Sequence, residues 1–149
     1  MIREMKHLDL SQVMVIEDAS FIDGRYSKEQ LLYEFKDNPF ATILVSVDDI
    51  EEINGFLIYM VTFNSASIVQ IATRPINRRH GIATRLISEM INRLKKKGYG
   101  EIENVNLEVR KKNVIAHNFY LKNGFKDVTV KKKYYDNGDD AIYMMRVLL

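Results

Sequence analysis

Residues 67–97 read SIVQIATRPINRRHGIATRLISEMINRLKKK, and this stretch decides the fold. The β-branched residues at its start predict a strand that ends near Pro75. In its second half apolar residues recur every three or four positions, which predicts a helix with one buried face. That face consists of Ile82, Ala83, Leu86, Ile87, Met90, Ile91 and Leu94. Residues 95–98, which read KKKG, predict the C-terminal end of the helix.

The loop between this strand and this helix has the composition of an anion site. Residues 77–81 read NRRHG, so two arginines, a glycine and the first N–H groups of a helix come together. Such N–H groups and the positive end of the helix dipole bind phosphate, and Gly81 allows close backbone approach. We therefore expect a diphosphate here. The chain lacks the glycine-rich motifs of nucleoside-triphosphate and dinucleotide loops.

Composition limits the classes of function. The chain has 149 residues, of which 46% are hydrophobic and 28% charged, and we expect one domain over residues 1–149. No apolar run suits a membrane span, and a net charge of +2 is too small to indicate nucleic-acid binding. The absence of cysteine excludes disulfides and a cysteine nucleophile, and it fits a cytoplasmic protein. Three scattered histidines give no reason to expect a metal.

The first part of the chain predicts a short strand at residues 2–5, two helices and three further strands. A helix over residues 8–21 is broken by residues 23–24, which read DG. Ser27 and Gln30 have the spacing of a capping box and open the second helix. Three β-branched and apolar runs then predict strands before the central helix.

The last part of the chain predicts a strand, a helix and a hairpin. Apolar residues alternate with polar ones over residues 104–109, which is typical of a strand, and Asn113 suits the cap of the following helix. Residues 136–139, which read DNGD, predict a turn between strands over 125–135 and 140–148. The order β-α-α-β-β-β-α-β-α-β-β indicates an α/β (α+β) fold with four helices and a mixed, mostly antiparallel sheet of about seven strands.

The central stretch resembles the coenzyme-binding motif of the GNAT superfamily of N-acetyltransferases. Arg78-x-x-Gly81-x-Ala83 after a strand matches the pattern Q/R-x-x-G-x-G/A, and the predicted element order is that of the GNAT fold. The resemblance implies that the chain binds acetyl-CoA and releases coenzyme A. The expected coenzyme-binding residues, besides Tyr120, are Ile71, Ala72, Thr73, Arg78, Arg79, His80, Gly81, Ile82, Ala83, Thr84 and Asn113.

A second run resembles the bacterial ribosomal-protein-alanine N-acetyltransferases and their archaeal and eukaryotic N-terminal acetyltransferase relatives. Residues 107–125 follow that group's L-E-V-R-x-x-N-x-x-A-x-x-L-Y-x-x-x-G-F segment, with Phe119 at its second leucine. Residues 133–135 and 140–144, which read KYY and DAIYM, match its N-Y-Y and E-D-A-I-I-M. The resemblance therefore covers essentially the whole chain.

The resemblance implies catalytic roles for Glu108 as base and for Tyr120 as acid. With an ordinary pKa of about 10, the Tyr120 hydroxyl can protonate a departing thiolate whose pKa is about 8.5. Glu108, with an ordinary pKa of about 4.3, is a weak base unless it is desolvated or acts through water. No metal is required. The alternatives are structural: Tyr120 as a packed core aromatic, Glu108 as a solvated strand residue and Asn113 as a helix cap alone.

The expected acceptor-binding residues are Tyr26, Gln70, Glu108, Tyr134 and Tyr135. We expect the tyrosines at 26, 134 and 135 to hold an extended peptide end from two sides. For the last two, cross-strand packing in the hairpin is the structural alternative. The chain departs from the bacterial group at residues 25–27, where RYS replaces Pro-Trp-Ser, and at 70–73, where QIAT replaces N-I-A-V.

The expected acceptor is a protein or peptide N-terminal α-amine, with a ribosomal-protein alanine as the leading candidate and direct transfer as the route. A small amine, a lysine side chain and a non-catalytic acyl-CoA-binding role are the alternatives. We expect a monomer or weak dimer. The sequence leaves the identity of the acceptor open.

Overall fold

The computed structural model describes residues 1–21, 25–96 and 101–148. In this part of the chain seven strands and four α-helices follow one another in the predicted order. They are β1 (Ile2–Glu4), α1 (Leu10–Ser20), α2 (Lys28–Lys36), β2 (Ala41–Val47), β3 (Ile53–Thr62), β4 (Ser65–Thr73), α3 (Ile82–Lys96), β5 (Asn104–Arg110), α4 (Val114–Lys122), β6 (Lys126–Lys131) and β7 (Ala141–Val147). The predictions for residues 23–24 and 97–98 lie outside the described residues.

All seven strands form one sheet in the order β1-β2-β3-β4-β5-β7-β6. Five of the neighbouring pairs are antiparallel, and only β4 and β5 run parallel. The central helix α3 is therefore the crossover that a parallel pair requires. The prediction of a mixed, mostly antiparallel sheet is confirmed.

The parallel pair β4–β5 separates in the middle of the sheet. Its paired residues are Ser65 with Asn104, Ala66 with Val105 and Ser67 with Asn106. Beyond them β4 continues to Thr73 and β5 to Arg110. The register of β4 against β3 also shifts at Val69, which bulges between residues paired to Tyr59 and Ile58. We call the gap between residues 68–73 and 107–110 the sheet opening.

The core lies on both faces of the sheet. On one face, α3 and α4 pack on a cluster that includes Leu57, Ile68 and Leu107. The predicted apolar face of α3 is confirmed by its buried residues Ile82, Leu86, Ile87, Met90, Ile91 and Leu94. On the other face, α1 and α2 pack on a second cluster that includes Phe56 and Ile58. No described helix has the length and apolar character of a membrane span.

The predicted hairpin forms, but its strands are shorter than expected. Strand β6 ends at Lys131 and β7 begins at Ala141, so residues 132–140 form a connection that contains both predicted tyrosines. Polar contacts hold this connection against the end of β5, where Arg110 Nη1 donates to Asn137 Oδ1 at 3.1 Å and to Asp139 Oδ2 at 3.0 Å. Asp140 Oδ1 accepts a hydrogen bond from the Lys133 N–H at 2.9 Å, and the Gly138 N–H donates to the Tyr135 carbonyl at 2.8 Å.

Helix α1 begins two residues later than predicted. Residues 7–9 form a 3-10 turn instead, and the helix starts at Leu10. The Asp9 carboxylate accepts from the Lys6 N–H at 2.7 Å and from the Arg3 guanidinium at 2.7 Å. This ion pair therefore joins β1 to the start of the helix, and it lowers the pKa of Asp9.

Candidate active site

The loop of residues 78–84 presents a row of free backbone donors. Arg79 and Gly81 have positive φ angles of 68° and 76°, which turn the chain sharply into α3. The Arg85 guanidinium ties the loop to the helix by donating to the His80 carbonyl at 3.0 Å. Among the described residues, the N–H groups of residues 79–84 have no hydrogen-bond partner. Six backbone donors without a partner therefore lie together at the N-terminus of α3.

This 78–84 loop fits an anionic diphosphate. Arg78 lies beside the end of α1, with its Nη2 atom 3.4 Å from Ser20 Oγ, and Arg79, His80 and Thr84 are exposed. Gly81 has no side chain to cover the donors. Ile82 differs from the other predicted coenzyme residues because its side chain is buried in the core, which leaves only its N–H group available.

The end of β4 supplies the next part of the site. Ile71, Ala72 and Thr73 pair with β3 on one side, while their other side borders the sheet opening. In the part of the chain that the structure describes, alternate backbone groups there have no strand partner, so they are available to a ligand. A Cβ atom at Gly55, the partner of Thr73, would lie 2.8 Å from Ile82 Cγ2. This close packing fixes the strand end to the start of α3.

Tyr120 is a core residue whose pKa differs from the value assumed above. Its ring packs edge-on against Phe119 and Phe125, with centroids 5.3 and 5.7 Å away. Burial, followed by the proximity of Tyr135, raises the pKa of Tyr120 well above its ordinary value. The assumption of a pKa near 10 is therefore wrong, since the hydroxyl is desolvated. The ring is packed in the core, as the structural alternative for Tyr120 predicted. The role of its hydroxyl group as a general acid remains a prediction.

Asn113 caps α4, as its structural alternative predicted. Its side-chain oxygen accepts from the Ala116 N–H at 3.1 Å. The residue is exposed and lies at the end of β5, beside the sheet opening. The side-chain amide group is therefore placed to donate to a ligand while its oxygen caps the helix.

Glu108 is paired with a lysine that the sequence did not indicate. Its side chain points to the α1–α2 face, because the alternating Leu107 and Val109 belong to the opposite cluster. The Lys131 ammonium lies 2.8 Å from Glu108 Oε1, and 26% of the Glu108 side chain is exposed. Glu108 is therefore neither a freely solvated residue nor an unpaired base. The only signal for Lys131 was its place in a lysine run.

A buried carboxyl group joins two of the predicted acceptor residues. Glu17 in α1 is fully buried, and its Oε2 atom accepts from the Tyr26 N–H and from Gln70 Nε2, both at 2.7 Å. Its Oε1 atom is buried without a partner among the described residues. Desolvation raises the pKa of Glu17, and the two hydrogen bonds oppose that shift. The sequence analysis missed Glu17, whose signal was one acidic residue directly after an apolar run.

The raised pKa of Glu17 predicts a pH-dependent stability. A carboxyl group whose pKa is raised in the folded state adds to the free energy of unfolding at pH values below its unfolded-state pKa, here 4.5. That contribution is lost as the pH rises through the folded-state pKa. Glu17→Gln removes the titration. We expect the wild-type urea midpoint to fall relative to that of the variant as pH rises above 4.5. Glu29→Gln, on the exposed side of α2, is the control. A constant difference would contradict the prediction.

The two tyrosines of the connection pack on each other. Their rings are edge-on with centroids 5.0 Å apart, and the Arg110 guanidinium lies 3.8 Å from the centre of the Tyr135 ring. Both tyrosines follow the end of β6, so the structural alternative, in which they pack across the strands of the hairpin, is wrong. Tyr134 is 48% exposed, whereas burial raises the pKa of Tyr135. Burial also raises the pKa of Tyr26 to about 12.

The predicted residues therefore form two groups on opposite faces of the sheet. Asn113, Tyr120 and the start of α3 lie on the face of α3 and α4. The 78–84 loop precedes α3, and its Arg78 also reaches the end of α1. Tyr26, Gln70 and Glu108 lie on the face of α1 and α2. The sheet opening separates the two groups, with residues 68–73 along its edge. This arrangement can hold a phosphate-bearing molecule on one face and an amine on the other.

Comparisons with known proteins agree with this architecture. The model of the acetyltransferase (GNAT) family matches residues 10–125. A Bacillus subtilis (strain 168) protein, provisionally named [ribosomal protein bS18]-alanine N-acetyltransferase, is 31% identical over 96% of this chain and 92% of its own length. A Haemophilus ducreyi protein of that name is 30% identical over 95% and 92%. The crystal structure of the ribosomal-protein-S18-alanine N-acetyltransferase from Escherichia coli superposes with a TM-score of 0.83 at 25% identity, covering 99% of this chain and 93% of that one.

Proposed function

Because this chain belongs to the GNAT family of acetyltransferases and is an N-acetyltransferase, we propose that it acetylates the N-terminal α-amine of a protein, using acetyl-CoA. A ribosomal-protein alanine is the proposed acceptor, since the similar proteins are named for that substrate. The observation that carries the proposal is the row of six free N–H groups at the 78–84 loop, on the face opposite the carboxylates.

On the face of α3 and α4, the donor face, the role proposed for the protein is to bind and orient acetyl-CoA. The N–H groups of residues 79–84 and the side chains of Arg78 and Arg79 would hold the diphosphate. The free backbone groups of residues 71–73 at the sheet opening, with the Asn113 amide, would hold the pantetheine arm and the acyl carbonyl. Acetyl-CoA, when bound, supplies an acyl group that is activated as a thioester.

Tyr120 supplies the proton for the departing sulfur. Its raised pKa keeps the hydroxyl protonated at neutral pH. The same desolvation would raise the pKa of a thiol held beside Tyr120, which would make proton transfer from the hydroxyl to its sulfur more favourable. The burial of Tyr120 therefore suits a proton donor better than a proton acceptor.

The ordinary pKa values of the two kinds of amine favour an α-amine over a lysine side chain as the acceptor. An α-amine has a pKa of about 7.7–8.0 and lysine about 10.4, so at neutral pH roughly a tenth of the former and under a thousandth of the latter is neutral. We propose that Glu108 removes the proton that the attacking amine loses. Tyr26, Gln70, Tyr134 and Tyr135 then hold the peptide end, with hydroxyl and amide groups that meet its backbone.

Matched peptides test the acceptor. We expect peptides that begin with Ala or Ser to consume acetyl-CoA at least about tenfold faster than the same peptides with a blocked N-terminus and an internal lysine. Spermidine and an aminoglycoside are assayed alongside. Faster turnover of the blocked peptide or of the polyamine would make the α-amine proposal wrong and favour the lysine or small-amine alternative.

We also propose that residues 1–149 form one domain that works in the cytoplasm. A single sheet contains strands from both ends of the chain, β1 and β7. The core cluster on the face of α3 and α4 contains residues from Leu44 to Met144, so it joins both halves of the sequence. Both observations favour one folding unit over two.

A further inference from the structure

The Lys131 ammonium occupies a site that is built for a cation. It lies 2.8 Å from Glu108 Oε1, 4.7 Å from the centre of the Tyr143 ring and 5.4 Å from that of Tyr134. A carboxylate flanked by aromatic rings is the chemistry that binds an ammonium group. We call the Glu108 carboxylate with these two rings the ammonium site.

Lys131 reaches the ammonium site from the edge of the sheet. Lys131 is the last residue of the edge strand β6, and its side chain crosses β7 to reach Glu108 on β5. The side chain is 41% exposed, and the chain turns away at residues 132–133. A long flexible side chain at a strand end can move into solvent without breaking any strand pairing.

We infer that the ammonium site receives the amine of the acceptor, and that Lys131 is an internal occupant which the acceptor displaces. This inference rests on the proposed function. An α-ammonium carries the same charge and the same three donors as the Lys131 ammonium, so the two compete for one carboxylate. Because a filled site lowers the fraction of protein that is ready to bind, Lys131 weakens the apparent affinity for every amine.

Removing the charge of Lys131 tests the inference kinetically. Lys131→Met keeps an unbranched apolar side chain that is one atom shorter and deletes the ammonium. We expect the KM for an Ala-terminated peptide to fall about three- to tenfold, the range for a partly exposed ion pair with ring contacts, and the KM for acetyl-CoA to stay unchanged. Lys132→Met, the exposed neighbour, is the matched control and should leave both constants unchanged. A higher peptide KM in Lys131→Met would overturn the inference.

A binding measurement separates charge competition from steric effects. Calorimetry compares the Ala-terminated peptide with its N-acetylated form, which has no ammonium, on wild-type protein and on Lys131→Met with coenzyme A present. We expect the free-amine peptide to bind the variant about three- to tenfold more tightly and the acetylated peptide to bind both proteins equally. Equal tightening of both peptides, or no tightening of either, would overturn the inference. Absence of wild-type turnover with free-amine peptides would instead contradict the proposed function.

Discussion

Gly81→Val should weaken the binding of acetyl-CoA at least about 100-fold and leave the protein folded. Gly81 has a φ of 76°, which a β-branched residue adopts only with strain, and an added Cβ would lie 3.1 Å from Arg85 Nη1. The valine methyl groups would also cover the row of donors. Loss of two charge-assisted hydrogen bonds, each about 1.5–3 kcal/mol, is sufficient for this effect.

A second glycine provides the control for backbone strain. Gly138 has a φ of 88°, and an added Cβ there would meet no atom within 4 Å. Gly138→Val therefore imposes a similar backbone penalty far along the chain from the 78–84 loop. Calorimetric titration with acetyl-CoA should show wild-type affinity for Gly138→Val, while circular dichroism shows both variants folded. Retained binding by Gly81→Val would place the diphosphate elsewhere.

Tyr120→Phe should lower kcat about 100-fold without changing the KM for acetyl-CoA. The substitution keeps the ring between Phe119 and Phe125 and deletes only the hydroxyl proton, and general acid catalysis contributes about 10²- to 10⁴-fold. The raised pKa also predicts that the wild-type kcat does not fall from ionisation of Tyr120 up to its ordinary value of 10.0.

Another buried tyrosine separates catalysis from packing. Tyr59 is 1% exposed and belongs to the same core cluster as Tyr120. Tyr59→Phe also removes one buried hydroxyl, and it should keep the wild-type kcat in steady-state assays. If Tyr120→Phe turned over as fast as wild type, the packing alternative would be the whole role of Tyr120.

The features that the sequence predicted well are determined locally. The capping box of α2 is one example: Gln30 N–H donates to Ser27 Oγ at 3.1 Å, and Ser27 N–H donates to Gln30 Oε1 at 2.8 Å. Both partners lie within one turn, so their spacing alone is sufficient. The buried face of α3 follows from its period in the same way, and the loop before it follows from composition.

The features that the sequence did not predict depend on distant partners. Lys131 and Glu108 are 23 residues apart, and Glu17 and Gln70 are 53 apart. Alternation shows which face of a strand is polar, but strand order and register decide which polar residues meet. The register of β6 against β7 shifts between Asp127 and Thr129, which no local pattern indicated. The ion pair between Glu108 and Lys131 could therefore be identified only from the folded sheet.

The sheet opening has an evolutionary consequence. In the proposed mechanism it divides one reaction between two faces, and the faces draw on different helices and different strand positions. Substitutions on the face of α1 and α2 can change which acceptor binds, while every intermediate variant still binds acetyl-CoA. Residues 25–27 and Gln70, where this chain departs from the bacterial pattern, lie on or beside that face. A duplicated gene with this architecture can acquire a new substrate in small steps, each of which encodes a working enzyme.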